Sequence, residues 1–151
     1  MTTIYRITDK TLAILPKRDV HVRTEIIEME QEIDHTSAPF QIIKENCIHY
    51  GANYEGRKKS VQHHLDFHQK TPIPMAVSKG LYAIPTESPH NYDCSWLFFH
   101  GIKDTFLQPD GLPAVRLINE RILNIDISLY TLQTQYDRAG MCKVVFEQLD
   151  E

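Results

Sequence analysis

The stretch from Cys94 to Ile102 restricts the fold more than any other. Trp96, Phe98, His100 and Ile102 alternate with Leu97, Phe99 and Gly101, so a strand here carries apolar side chains on both faces. Neither face tolerates water, and a central strand covered on both sides is expected. Shorter β-favouring runs lie to either side. Ile4 to Ile7, Thr11 to Leu15 and Val20 to Ile27 are separated by Asp9-Lys10 and Pro16 to Asp19, which reads as a small antiparallel meander. Further strands are expected at Val61 to Phe67, Ile73 to Val77 and Leu81 to Ile84, with Pro72, Pro74 and Pro85 suiting edges and bends. Val115 to Ile118 and Ile122 to Ile127 form a hairpin through Asn119-Glu120.

Two segments have helical periodicity. After Ser37-Ala38-Pro39, the residues Phe40, Ile43, Cys47 and Tyr50 recur at three or four positions and Gly51 follows, giving a cap, a first-turn proline and a stop. Ser128 caps a closing helix in which Leu129, Leu132, Tyr136, Ala139 and Phe146 share a face, and Gly140 weakens it by about 1 kcal/mol relative to alanine. The expected fold class is α+β, a mainly antiparallel sheet with an inserted helix and a C-terminal helix. The 151 residues, 42% of them apolar, are read as one domain, residues 1–151.

No run of about 18 apolar residues is present, and Met1 to Arg6 has neither the charged start nor the apolar stretch of a signal peptide. A cytoplasmic location without membrane contact is expected. Cys47, Cys94 and Cys142 are odd in number and widely spaced, which suits buried free thiols rather than disulfides or a metal knuckle. Net charge is −4, but its distribution matters more than its sum. Residues 1–50 carry six basic and eight acidic side chains, residues 51–80 five and two, and residues 81–151 five and ten. Only the middle segment suits a polyanionic partner.

Within it, Gly51 to Ser60 sets Tyr54 beside Arg57, Lys58 and Lys59 and between Gly51 and Gly56. Read as a loop, it could approach a duplex closely, its cations neutralising phosphates or entering a narrow A·T-rich minor groove. The candidate contacts are Tyr54, Gly56, Arg57, Lys58 and Lys59, with Lys70 and Lys79 as flanking phosphate contacts; Tyr54 either bonds a phosphate or packs.

Cys47-Ile48-His49-Tyr50-Gly51, Tyr54-Glu55-Gly56-Arg57-Lys58, Lys70-Thr71-Pro72-Ile73, Pro85-Thr86-Glu87-Ser88-Pro89 and Cys94-Ser95-Trp96 follow one another at characteristic spacings. In order and spacing they resemble the competence transcription factor family, ComK. The similarity runs from about Ile42 to Ile102, continues more faintly from Val115 to Ser128, and returns at Gln135 and Arg138. Glu55, Ile84 and Glu120 depart from the family pattern, the last standing where a glycine is usual.

The resemblance implies an activator of competence genes that reads paired A-rich and T-rich promoter boxes, largely through the minor groove. It also implies an oligomer on adjacent sites, and an adaptor that delivers the protein to a Clp-type protease. Neither a cofactor nor catalytic residues are expected. Trp96, Cys94 and Pro85-Thr86 match the family but have the chemistry of a packed strand and a rigid turn. Arg138 is read either as a DNA contact or as the partner of Asp137.

Two rival readings remain. His63, His64 and His68 could serve a zinc hydrolase or nuclease, since on a helix His64 and His68 share a face, yet the glutamate of a His-Glu-x-x-His site is absent. On a strand, His64, Asp66 and His68 share a face but lack a distant ligand. Surface histidines beside a basic segment would instead strengthen DNA contact once protonated, below about pH 6.5. The other rival is a non-activating modulator that pairs with a longer relative, suggested by an end soon after the closing helix.

Overall fold

The computed structural model describes residues 3–149. Six strands form one antiparallel sheet: β1 (Thr11–Pro16), β2 (Thr24–Glu28), β3 (Glu32–His35), β4 (Ile73–Ala76), β5 (Leu81–Pro85) and β6 (Trp96–Phe98), in the spatial order β3-β2-β1-β6-β5-β4. A second antiparallel sheet contains β7 (Ile102–Leu107), β8 (Pro113–Leu117) and β9 (Ile122–Asn124). Helices α1 (Pro39–His49) and α2 (Tyr54–Leu65) are inserted between β3 and β4, and α3 (Leu129–Leu149) closes the chain. The α+β class is as expected, with two inserted helices where one was anticipated.

The sheet is assembled around β6, which pairs with β1 through Ile14 and Trp96 and with β5 through Pro85 and Trp96. Period-two alternation then divides the core. Trp96 and Phe98 join Ile14, Ile26 and Ala83 against α1 and Tyr54 of α2, while Leu97 joins Ile27, Ile84, Val115 and Leu117 against the second sheet and α3. Trp96, Leu97 and Phe98 are completely buried, so both faces of β6 are covered as their apolar alternation requires.

The strand is shorter than its pattern suggests. Phe99–Gly101 form a 3₁₀ turn that redirects the chain into the second sheet. A Cβ on Gly101 would lie 3.1 Å from the Leu12 Cα, so the turn needs a residue without a side chain where it crosses β1. One apolar run therefore serves two sheets.

Other expectations also shift. Val61 to Phe67 is not a strand, because α2 continues to Leu65. Its buried positions, Tyr54 and Val61, are two helical turns apart on an otherwise polar segment. Ile4 to Ile7 is not a strand either; Asn46 of α1 accepts from the Ile7 N–H at 2.8 Å and donates to the Tyr5 carbonyl at 2.8 Å, replacing a ladder. The anticipated strand from Val20 begins only at Thr24, and β3, with Ile33 between charged neighbours, was not anticipated. The N-cap of α1 is Ala38, without a side-chain bond, rather than Ser37.

The Asn119-Glu120 hairpin does form between β8 and β9, with Glu120 at φ 72°, a left-handed conformation that suits the glycine usual there. Ser128 caps α3, its Oγ accepting from the Thr131 N–H at 3.1 Å. All three cysteines are free and buried; burial pushes the Cys47 and Cys94 thiols up to about 11 and Cys142 up to about 12, which keeps them neutral.

Antiparallel pairing places the connections 17–23, 66–72 and 86–95 at one end of the six-stranded sheet, as the pairs Pro16–Thr24, Ile73–Ala83 and Pro85–Trp96 show. The connections 29–31, 77–80 and 99–101 lie at the other end.

His100, in the turn between the sheets, has both ring nitrogens buried without a well-formed hydrogen bond. Burial lowers its pKa, and the nearby backbone of Thr11 and Asp9 opposes this only in part. The unfolded chain then binds the proton more readily, so this contribution to stability is complete above about pH 6.5 and declines as pH falls toward the folded pKa. Urea melts at pH 5, 6 and 7 should show His100→Phe flattening the acid-side decline, by up to about 1.4 kcal/mol per pH unit within that window. Identical pH profiles would place the sensitivity elsewhere.

Candidate nucleic-acid interface

The segment read as a basic loop is the start of α2. The Asn53 side chain accepts from the Gly56 N–H at 2.8 Å and forms the N-cap, and Glu55 sits in the first turn, where the helix dipole favours an anion. A Cβ on Gly56 would stand 3.0 Å from the Asn53 Oδ1, so this glycine makes room for the cap. Gly51, at φ 112°, ends α1.

The helix sends its polar side chains in different directions. Arg57 folds back: Nε donates to the Ala52 carbonyl at 2.9 Å, Nη1 to Pro74 at 2.8 Å and Nη2 to Cys47 at 2.8 Å. Its guanidinium ties the C-terminus of α1 to β4, and burial lowers its pKa while Cys47 opposes that shift. Tyr54 is 5% exposed and packs edge-on against Phe40 and Trp96, with ring centroids 4.9 and 6.5 Å away. Of the two outcomes weighed for Tyr54, the ring packs.

Lys58 lines a cleft of about 270 Å³ with Lys70, His68 and His90, whereas Lys59 is exposed outside it. Lys70 belongs to a loop shaped by two left-handed residues, Asp66 at φ 58° and Lys70 itself at φ 48°. Helix α3 holds that loop. Gln135, 2% exposed, donates through Nε2 to the Lys70 carbonyl at 2.6 Å and the Pro85 carbonyl at 3.1 Å. Arg138 does not pair with Asp137; its Nη1 donates to the Gln69 carbonyl at 3.3 Å and its guanidinium lies 4.9 Å from the Phe67 ring centroid. Arg138 and Lys70 face a second cleft of about 430 Å³ that adjoins the first at His68, Gln69 and Lys70. Lys79 is exposed at the opposite end of β4, away from this group.

The histidines that motivated a metal reading do not assemble. His63 and His64 are exposed neighbours on α2 whose rings touch each other, and His68 lies beyond the helix end, bonded to Asp66. Among the described residues, no three His, Cys, Asp or Glu side chains stand where they could hold a metal ion.

The family model described as ComK protein matches residues 2–151. The chain belongs to the ComK family. It is 24% identical over 144 residues to a protein of Bacillus subtilis (strain 168) called Competence transcription factor, an overlap of 95% of this chain and 75% of that relative. No solved structure matches.

Three of the segments that carry the ComK resemblance, Lys70 to Ile73, Pro85 to Pro89 and Cys94 to Trp96, lie at one end of the six-stranded sheet. Cys47 to Gly51 supply the carbonyl and turn that Arg57 and α2 build on. Lys70 to Ile73 and Pro85-Thr86 are the strand ends joined through Gln135. Thr86 and Ser95 exchange two bonds, Thr86 N–H to the Ser95 carbonyl at 2.9 Å and Ser95 N–H to the Thr86 Oγ1 at 3.0 Å, next to buried Trp96. Sequence reasoning gave Gln135 no task and counted His90 only among the further imidazoles of the metal reading. A glutamine within the apolar stripe of α3 was the available signal for the first; nothing local marked the second.

Because three carbonyls depend on one fork of donors, Arg57→Ala should destabilise the fold by about 2–4 kcal/mol in denaturant melts. Arg57→Lys should recover little, since a single ammonium does not reproduce the fork. Stability equal to the parent in both variants would contradict a structural role.

Proposed function

We propose that this chain is a DNA-binding transcription regulator, not an enzyme, and that the end of the sheet bearing the 66–72 loop is the face that meets the duplex. One observation carries the reading. Lys58 of α2 and Lys70, on a loop fixed by Gln135, share a cleft beside Arg138 in a chain whose relative is named Competence transcription factor.

Cations held on a braced loop neutralise phosphates with little ordering cost, and each phosphate neutralised adds to the salt dependence of binding. Lys58, Lys59 and Lys70 are the phosphate contacts in this reading, with Lys79 more remote. Arg57 and Tyr54 support the surface from beneath, and Gly56 lies exposed at the start of α2. Such an arrangement suits minor-groove and backbone reading of A·T-rich promoter boxes, where width and potential guide basic side chains.

The finer properties that family membership suggests are part of the same proposal. These are activation of competence genes, assembly as a homo-oligomer on adjacent boxes, turnover through an adaptor and a Clp-type protease, and a cytoplasmic site of action. No helix among the described residues is long and apolar enough to cross a membrane.

Affinity for an A·T-rich duplex should fall steeply between about 50 and 200 mM salt, and Lys58→Ala with Lys70→Ala should make the slope shallower by up to about two units. Fluorescence anisotropy at several salt concentrations measures both. An unchanged slope in a folded double variant would move the interface to another face.

A further inference from the structure

We propose a second DNA contact on the same face, the β1–β2 connection of residues 17–23, which grips the phosphodiester backbone several base pairs from the Lys70 loop. The inference rests on the DNA-binding reading above and extends it to residues that carry no family motif.

The connection holds Lys17, Arg18, His21 and Arg23 within seven residues. Tyr92 organises it from across the sheet end. Its hydroxyl donates to the Lys17 carbonyl at 2.7 Å and approaches the Arg23 carbonyl at 2.9 Å, fixing both stems of the connection. The guanidinium carbons of Arg18 and Arg23 lie 5.0 and 5.6 Å from the centroid of the same ring. Stacking on an aromatic face limits the rotamers of both arginines before any ligand arrives, so less order remains to be imposed on binding. Val20, 92% exposed, forms an apolar point among these cations, a combination found where proteins enter a minor groove.

Three carboxylates stand nearby. Arg18 pairs with Asp93, Lys17 with Asp34 at 3.1 Å, and the Asp19 side chain accepts from the His21 N–H at 2.9 Å. Both ion pairs are solvent-exposed, a setting in which such pairs are weak, so a phosphate can displace the carboxylate at small cost. Arg23 has no carboxylate partner among the described residues.

The surface between the two contacts is continuous. The hollow around the connection adjoins a neighbouring one at Arg23 and Tyr92, and that one adjoins the Lys58–Lys70 cleft at Pro89 and His90. From β2 to β4 the sheet makes four steps of about 4.8 Å, roughly 19 Å in all, which matches about five or six base pairs at 3.4 Å each. Two braced cationic points at that separation would fix both position and direction of the duplex.

The test uses the full chain and a 30-base-pair A·T-rich duplex, with binding measured at about 50–200 mM salt and hydroxyl-radical footprints alongside. Arg18→Ala with Arg23→Ala should bind about tenfold more weakly at intermediate salt, with a slope shallower by about two units. Its footprint should shorten by about five base pairs at one edge only. If that variant matches the parent while Lys58→Ala with Lys70→Ala is weakened, the second contact is overturned and the first stands. If neither pair of changes alters binding, both fail. Should the arginine pair lose its cooperative melt, Arg18→Glu alone, at a side chain 71% exposed, replaces it and should lower the slope by about one unit.

Discussion

Backbone carbonyls at the ends of sheets and helices must find donors, and in this protein three long polar side chains from elsewhere supply them. Asn46 of α1 serves the Tyr5 and Ile42 carbonyls and the Ile7 N–H. Arg57 of α2 serves Cys47, Ala52 and Pro74, and Gln135 of α3 serves Lys70 and Pro85. A carbonyl buried without a donor costs about 1–3 kcal/mol, so each of these side chains fastens two or more segments that have no ladder between them. The helices are thereby tied to strand ends as well as packed on sheet faces.

That constraint separates the basic residues by role. Arg57, which composition alone ranks with its lysine neighbours, is committed to carbonyls, and Arg138 is partly so. Lys58, carried by α2, and Lys70 end up on the braced surface, and the position of Lys70 follows from the glutamine behind it. The ComK motifs are mostly the bracing rather than the cations: Thr86, Trp96, Gly56 and Gln135 hold the end of the sheet in shape.

Much of the architecture was legible in local pattern. The alternation through Trp96, Leu97 and Phe98 announced a strand covered on both faces, and Ser128 announced α3. Strong periodicity and side-chain capping are local properties, which is why they could be read. Helix α2 was not legible as one, because only Tyr54 and Val61 are buried in twelve residues and its histidine-rich end imitates strand alternation. The turn at Gly101 depends on contact with Leu12, 89 residues away in the chain. The resemblance named residues that lie at this end of the sheet, but their division into braces and exposed cations rests on which carbonyls come within reach.

Hydrogen exchange followed by mass spectrometry, with and without an A·T-rich duplex, addresses the claim that one end of the six-stranded sheet meets DNA. Bound duplex should slow exchange in residues 66–72 and 86–92 and leave residues 77–80 and 118–121 unchanged. Protection confined to those latter turns, or to β7, β8 and β9, would contradict the account.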